Sequence, residues 1–338
     1  MHKTSEWVSL GHPDKVADYI SSYLLDRHLE RDPNTRFAVE TMIKNNVVTL
    51  GGEVTSKAGF SDDELAQMVR DAVNAIGYTK EYQDKWGEEH TICGDELEVR
   101  TLIGRQSSDI DQGVRKSGWG DQGIFFGLAV NSPASSYMPR DHFLAGKLGQ
   151  ALFESGLGGL DIKTLVSTHN GRAVEVVVAV PLPENNWGDV MVRDLAENIT
   201  GCQQIILNGT GRYITHSSIA DCGVTGRKLA VDFYGGNCRI GGGSPWGKDA
   251  TKADVTLNIH ARQLALDFLR KSKRHTVGCA ISCSIGSSEI RIVYFDGAGR
   301  ELRHEQATAH PADLIARYGL NRPVFAGLCR EGLFSNPA

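Results

Sequence analysis

The chain is poor in the features that mark membrane, secreted and nucleic-acid-binding proteins. Its 338 residues hold no apolar run long enough to span a bilayer. Lys and Arg number 36 against 41 Asp and Glu, a net charge of −5, which argues against a chain built to bind nucleic acid. That balance still leaves room for a local basic pocket. The seven cysteines are odd in number and scattered, with no C-x-x-C pair, so neither a disulfide framework nor a zinc site is expected. Cys279 and Cys283 lie in apolar, strand-like sequence and read as buried thiols. The opening Met1-His2-Lys3-Thr4 lacks the apolar core of a signal peptide, and a cytoplasmic location is expected. No Gly-x-Gly-x-x-Gly stands between a strand and a helix, which excludes a Rossmann dinucleotide site.

What is present alternates between helix and strand patterns. The length suggests two or three domains. Gly11-His12-Pro13-Asp14-Lys15 precedes Val16, Ile20 and Leu24, one face of a helix. Taken alone, the pentapeptide reads as a helix start: Pro13 suits the first turn and Asp14 the positive end of the dipole. Residues 36–40 and 47–50 read as strands joined by a turn at 44–46. Their acids, Glu40 and Glu53, are either solvent-facing or functional. Ser61-Asp62-Asp63-Glu64 is a capping box, and its helix closes at Gly77. Residues 79–95 read as loop, 100–104 as strand, and the polar, glycine-bearing stretch from 105 to 120 as a lid or a linker. Strands are expected at 124–130, 165–168, 174–180, 205–208, 229–233, 277–285 and 290–295. Helices are expected at 140–157 and around 257–268, and the tail past 318 reads as loop.

Residues 205–254 combine many glycines with Arg212, Arg227, Lys228, Arg239, Lys248 and Lys252. Glycines let a backbone approach a ligand, and clustered cations neutralise phosphate. A cation ~4 Å from a unit negative charge contributes about 4 kcal/mol at an effective dielectric of ~20, before desolvation, so a polyphosphate calls for several. The bland alternative is a glycine-rich loop with solvated charges. Gly242 to Lys248 imitates the start of a P-loop. Asp249 then stands where a Ser or Thr would ligate magnesium, and the match reads as coincidence.

Longer motifs carry a family resemblance. Gly-His-Pro-Asp-Lys at 11–15, Gly-Gly-Glu-Val-Thr at 51–55, Gln-Ser-Ser-Asp-Ile-Asp-Gln-Gly at 106–113 and Gly-Asp-Gln-Gly at 120–123 resemble S-adenosylmethionine synthetases. So do Thr-Gly-Arg-Tyr at 210–213, Asp-Cys-Gly-Val-Thr-Gly-Arg-Lys at 221–228 and Gly-Lys-Asp-Ala-Thr-Lys-Ala-Asp at 247–254, all collinear. The resemblance implies an α+β fold of three structurally related α/β domains about a pseudo-threefold axis. The segments would be 1–104, a flexible active-site loop at 105–120, 117–214 and 215–338. It implies attack of methionine sulfur on C5′ of ATP, then hydrolysis of triphosphate to pyrophosphate and phosphate. It also implies a homodimer with interfacial active sites, possibly a tetramer.

By family position, His12 would meet the oxygen leaving C5′, and Lys163, Arg227, Lys228 and Lys248 would grip the polyphosphate, with Ser244 also at the ATP site. Asp161, Arg212 and Tyr213 would bind the nucleoside. Glu53, Gln106, Asp121 and Lys252 would hold methionine, and Asp221 would touch both substrates. Asp14 and Asp254 would hold two Mg²⁺ ions and Glu40 would help hold K⁺. The sequence departs from the family pattern at Leu10, Gly209, Tyr213, Ile240 and Ser244-Pro245-Trp246, and lacks the usual closing helix after Leu320.

Overall fold

The computed structural model describes residues 1–104, 118–183 and 188–335. Its strands in chain order are β1 His2–Val8, β2 Arg36–Lys44, β3 Val47–Thr55, β4 Glu98–Gly104, β5 Gly123–Val130, β6 Lys163–His169, β7 Arg172–Ala179, β8 Ile205–Leu207, β9 Gly223–Val224, β10 Thr276–Cys283, β11 Glu289–Asp296 and β12 Glu301–Thr308. Its helices are α1 Pro13–Arg31, α2 Asp62–Ile76, α3 Lys80–Trp86, α4 Arg140–Ser155, α5 Gly188–Thr200, α6 Ser217–Ala220, α7 Leu229–Asp232, α8 Ala253–Lys271, α9 Pro311–Tyr318 and α10 Phe325–Glu331.

Among the described residues the strands form three four-stranded sheets, ordered β1-β6-β7-β8, β12-β11-β10-β5 and β4-β3-β2-β9. The expected segments exchange strands in a ring. Segment 1–104 lends β1 to the sheet of 117–214. That segment lends β5 to the sheet of 215–338, which lends β9 back to the first. Helices back each sheet: α1 and α2 cover β4-β3-β2-β9, α4 and α5 cover β1-β6-β7-β8, and α8 covers β12-β11-β10-β5. The β4-β3-β2-β9 and β12-β11-β10-β5 sheets share one apolar core, while the β1-β6-β7-β8 sheet has its own, built on Leu144, Leu148, Val166, Val176, Val178 and Val192.

Local chemistry explains the borders. Ser61 and Glu64 cap α2 reciprocally, and Gly77 ends it at φ +122. Asn45 takes φ +50 in the β2–β3 turn. Helix α1 is buried on more than its Val16–Ile20–Leu24 stripe because β2 packs on one side and α10 on another.

Several sequence expectations are corrected. Residues 229–233 form helix α7 and not a strand: an apolar run this short fits either, and Asp232 is drawn inward by Lys15 and Trp246. Residues 79–95 contain α3, capped by Thr79, with Trp86 buried. The tail is not loop. It holds α9 and α10, and the Asp26 carboxylate accepts the first amides of α10, Phe325 N–H at 2.9 Å and Ala326 N–H at 2.8 Å. A closing helix after Leu320 is therefore present. All seven cysteines are free thiols, and Cys279 and Cys283 are buried as expected. No helix among the described residues is long and apolar enough to cross a membrane.

Candidate active site

His12 is the N-cap of α1. Its Nδ1 accepts the Asp14 N–H at 3.1 Å, so the ring proton lies on Nε2. Burial, with Lys163, Lys228, Lys15 and Arg227 nearby, lowers its pKa to about 2. The result is a neutral imidazole with one remaining donor. Asp14 is buried beneath it. One carboxylate oxygen accepts Val224 N–H at 2.9 Å and lies 3.6 Å from Arg227 Nε, while the other takes the Lys228 ammonium. Helix α1 and the 221–228 segment are thus clamped through charge.

The residues expected at the nucleoside gather beside this pair. Lys163 opens β6 and faces both His12 and Asp161. Asp161 is buried. Burial raises its pKa to about 6, against the opposing Tyr213 hydroxyl, Lys163 and Ser217 N–H. Its Oδ2 accepts Ser217 N–H at 3.1 Å, and its backbone carbonyl accepts the Tyr213 hydroxyl at 3.1 Å. Asp221 is exposed and lies near enough to Asp161 to act on it electrostatically. Arg212 precedes Tyr213 on an exposed turn.

The other expected residues form a second group. Thr41 bonds Ser21 of α1 at 2.8 Å, so its neighbour Glu40 points to the opposite face of the sheet. There Glu40, Glu53 and Lys248 wall a cavity of about 280 Å³ with Gly51 and Gly52. Lys248 pairs with Asp254 at 2.6 Å, at the start of α8 beside Lys252. Asp121 and Asp254 both act on the buried Cys283 thiol, whose pKa burial raises to about 11. The loop carrying Ser244 links the two groups. A Cβ on Gly226 would sit 2.9 Å from Ser244 Cβ, and one on Gly243 would sit 1.9 Å from Asp254 Oδ1. A side chain at 243 would have to push the Asp254 carboxylate aside. Gln106 and most of the expected lid lie outside the described residues.

Among the described residues no three His, Cys, Asp or Glu side chains converge as a metal cage. Asp14 and Asp254 each offer a single carboxylate beside a lysine. That set suits Mg²⁺, which keeps water and substrate phosphate as its other ligands. Glu40 offers one hard oxygen at the cavity wall, compatible with a monovalent cation.

Sequence reasoning assigned no role to a third set. Lys15 is buried, 2.7 Å from Asp232, 3.1 Å from Asp18 and 4.4 Å over the Trp246 ring. Burial opposes its charge, but Asp232 and Asp18 outweigh burial and hold its pKa above the usual value. Trp246 Nε1 donates to Asp232 at 2.7 Å and Gly226 N–H to Asp18 at 2.8 Å. This network seats the 226–228 turn on α1. Its signal in the sequence is the run of charges around a helix that is buried on most sides.

Residues 1–108 match the family model described as S-adenosylmethionine synthetase, N-terminal domain, and residues 215–338 the model for the C-terminal domain. A solved structure described as an unusual S-adenosylmethionine synthetase from Campylobacter jejuni shares 29% sequence identity, with a TM-score of 0.86 over 98% of this chain and 94% of that one. With both terminal domains matched and the fold shared nearly end to end, the chain belongs to the S-adenosylmethionine synthetase family.

Proposed function

We propose that this methionine adenosyltransferase forms S-adenosylmethionine by one displacement at C5′ of ATP. The methionine sulfur forms the S–C5′ bond as the C5′–O bond breaks, and the whole triphosphate leaves. A thioether has no proton to lose, so the reaction needs stabilisation of the leaving charge and not a general base. The observation that carries this reading is the state of His12: a buried, neutral imidazole whose one free donor, Nε2–H, is surrounded by Lys163, Arg227 and Lys228. Such a donor suits an oxygen that gains charge as its bond to carbon breaks. The lysines and Arg227 then hold the triphosphate while it is hydrolysed to pyrophosphate and phosphate.

Asp14 and Asp254 would hold two Mg²⁺ ions and Glu40 would help hold K⁺. Bound there, the cations supply neutralisation of the phosphate oxygens. Tyr213 stacks on adenine, with Asp161 and Arg212 on the nucleoside. Glu53 and Asp121 suit the methionine ammonium, Lys252 and Gln106 suit its carboxylate, and Asp221 lies between the two substrates. Lys248 and Ser244 reach the phosphates from the second group.

The active unit is a homodimer. His12 and Asp14 lie on the α1 side of their sheet, while Glu40 and Glu53 lie on the open face beside Met42 and Leu102, which are 47% and 71% exposed. A second copy packed on that face would cover Met42 and Leu102 and set the second groups of the two chains at one interface. Pairing of dimers into a tetramer extends the same scheme.

The test is incubation of purified protein with ATP, methionine, Mg²⁺ and K⁺, with mass detection of S-adenosylmethionine, pyrophosphate and phosphate. Absence of product, or His12→Ala acting like wild type, overturns the proposal.

A further inference from the structure

Four aromatic side chains stand behind the nucleoside end of the site and belong to neither group above. His216 is buried, with its ring 5.0 Å from Trp86 and 5.7 Å from Tyr82, edge to face in both cases. Tyr78 packs edge to face on Tyr82 at 5.5 Å. Their polar atoms reach three separate loops of the site. The Tyr78 hydroxyl donates to the Gly11 carbonyl at 2.5 Å, directly before His12. The Tyr82 hydroxyl accepts Leu160 N–H at 2.9 Å, directly before Asp161, and bonds His216 Nε2 at 2.7 Å. His216 Nδ1 bonds the Ile214 carbonyl at 2.6 Å. A ring nitrogen that meets a carbonyl must carry the proton. So Nδ1 donates to Ile214, and Nε2 accepts from Tyr82.

Asp161 is therefore held from two sides through one hydrogen bond. Its backbone side is fixed by Leu160 N–H on Tyr82. Its carboxylate is fixed by Ser217 N–H, and Ser217 follows His216 directly. Ser217 sits at φ +60, a left-handed conformation that a non-glycine residue adopts only when its surroundings impose it. In that conformation its amide points at the Asp161 carboxylate. Tyr213, whose hydroxyl donates to the Asp161 carbonyl, lies on the same loop, next to Ile214.

We propose that the Tyr82–His216 hydrogen bond is a positioning strut that sets Asp161 and Tyr213 for the nucleoside of ATP, while the polyphosphate grip of Lys163, Arg227, Lys228 and Lys248 does not depend on it. The inference rests on the proposed reaction. It predicts that loss of the strut weakens ATP binding and spares hydrolysis of inorganic tripolyphosphate, which has no nucleoside.

The test uses the full chain. Tyr82→Phe keeps the ring and removes only the hydroxyl. Its KM for ATP is expected to rise at least about tenfold, because the lost hydroxyl serves two buried hydrogen bonds, from Leu160 N–H and to His216 Nε2. Its kcat stays within about twofold, and KM and kcat for tripolyphosphate are unchanged. His216→Gln presents an amide oxygen long enough to reach Tyr82 and restores most of the ATP affinity. His216→Asn keeps a donor for Ile214 but falls short of Tyr82, and its KM for ATP rises in the same direction as that of Tyr82→Phe, by less, because Leu160 N–H keeps its acceptor. If Tyr82→Phe does not fold, the Gln and Asn variants carry the comparison alone. An unchanged KM for ATP, or an equal loss with tripolyphosphate, overturns the strut. A wild type that makes no S-adenosylmethionine refutes the underlying reaction instead.

Discussion

The Asp14 carboxylate and the Lys228 ammonium, 214 residues apart in sequence, form an ion pair at the first turn of α1. Asp14 also accepts the Val224 amide, so one carboxylate ties the 221–228 segment to the helix and, in the proposed function, would also hold Mg²⁺. Asp14→Asn keeps an acceptor for Val224 but loses the charge. We expect the variant to fold, and its kcat/KM to fall about 1,000-fold, because the proposed Mg²⁺ site would lose its charge and such stabilisation contributes several kcal/mol. Circular dichroism and steady-state rates check this. A fully active Asp14→Asn protein contradicts the assignment.

Gly243→Ala places a methyl group 1.9 Å from Asp254 Oδ1. Because Asp254 is paired with Lys248, the carboxylate and the lysine must move together. The expected outcome is a folded protein with activity reduced about 100-fold or more, since misplacement by about 1 Å has this effect on a positioned group. Titration with Mg²⁺ separates causes: if high Mg²⁺ restores the full rate, the carboxylate is only weakened; if not, it is displaced.

His260 lies buried on α8, with Nδ1 2.7 Å from the Tyr318 hydroxyl. Burial, with Arg317 adding and Asp267 opposing, lowers its pKa to about 4. The folded state therefore binds fewer protons than the unfolded state between about pH 4 and 6.5. Its contribution to stability is full above pH 6.5 and declines as pH falls toward 4. Asp26, raised to about 6 by burial, works in the opposite direction, so the two are separated by a variant and not by wild type alone. On moving from pH 7 to 5, His260→Gln should lose about 2 kcal/mol less than wild type in urea titrations. Equal losses refute the assignment.

Leu102 is 71% exposed on β4, on the open face where Met42 is also exposed. Leu102→Glu is expected to halve the molecular mass in size-exclusion chromatography with light scattering, and to reduce the specific activity with it. Unchanged mass together with full activity would remove the dimer across this face.

Some of this was legible in the sequence, for identifiable reasons. Helix α2 announces itself because its cap, Ser61 with Glu64, is local. The expected site residues around His12 and in the 221–228 segment lie in contiguous motifs, so their resemblance to the family survives point changes elsewhere. Features that depend on distant partners were hidden. Strand β1, His-Lys-Thr-Ser-Glu-Trp-Val, is mostly polar and becomes a strand by pairing with β6. Helix α10 has only seven residues, and the carboxylate at its start belongs to Asp26, 299 residues away. The partner of His216 is Tyr82, 134 residues away, and nothing near either residue hints at the other.

The ring of lent strands has a consequence for how the chain is made. His2 pairs with His169, Val130 with Thr276, and Met42 with Val224. As the polypeptide emerges from a ribosome, β1 waits for β6, and the edge of β2 stays unpaired until residue 224 is synthesised. Few of the sheets can close early, and contacts this far apart in sequence form slowly. Newly made chains therefore carry open strand edges for much of their synthesis, the state most prone to wrong pairing between neighbours. Cutting the gene at the borders near residues 104 or 214 leaves each fragment one strand short and holding a strand that belongs to another.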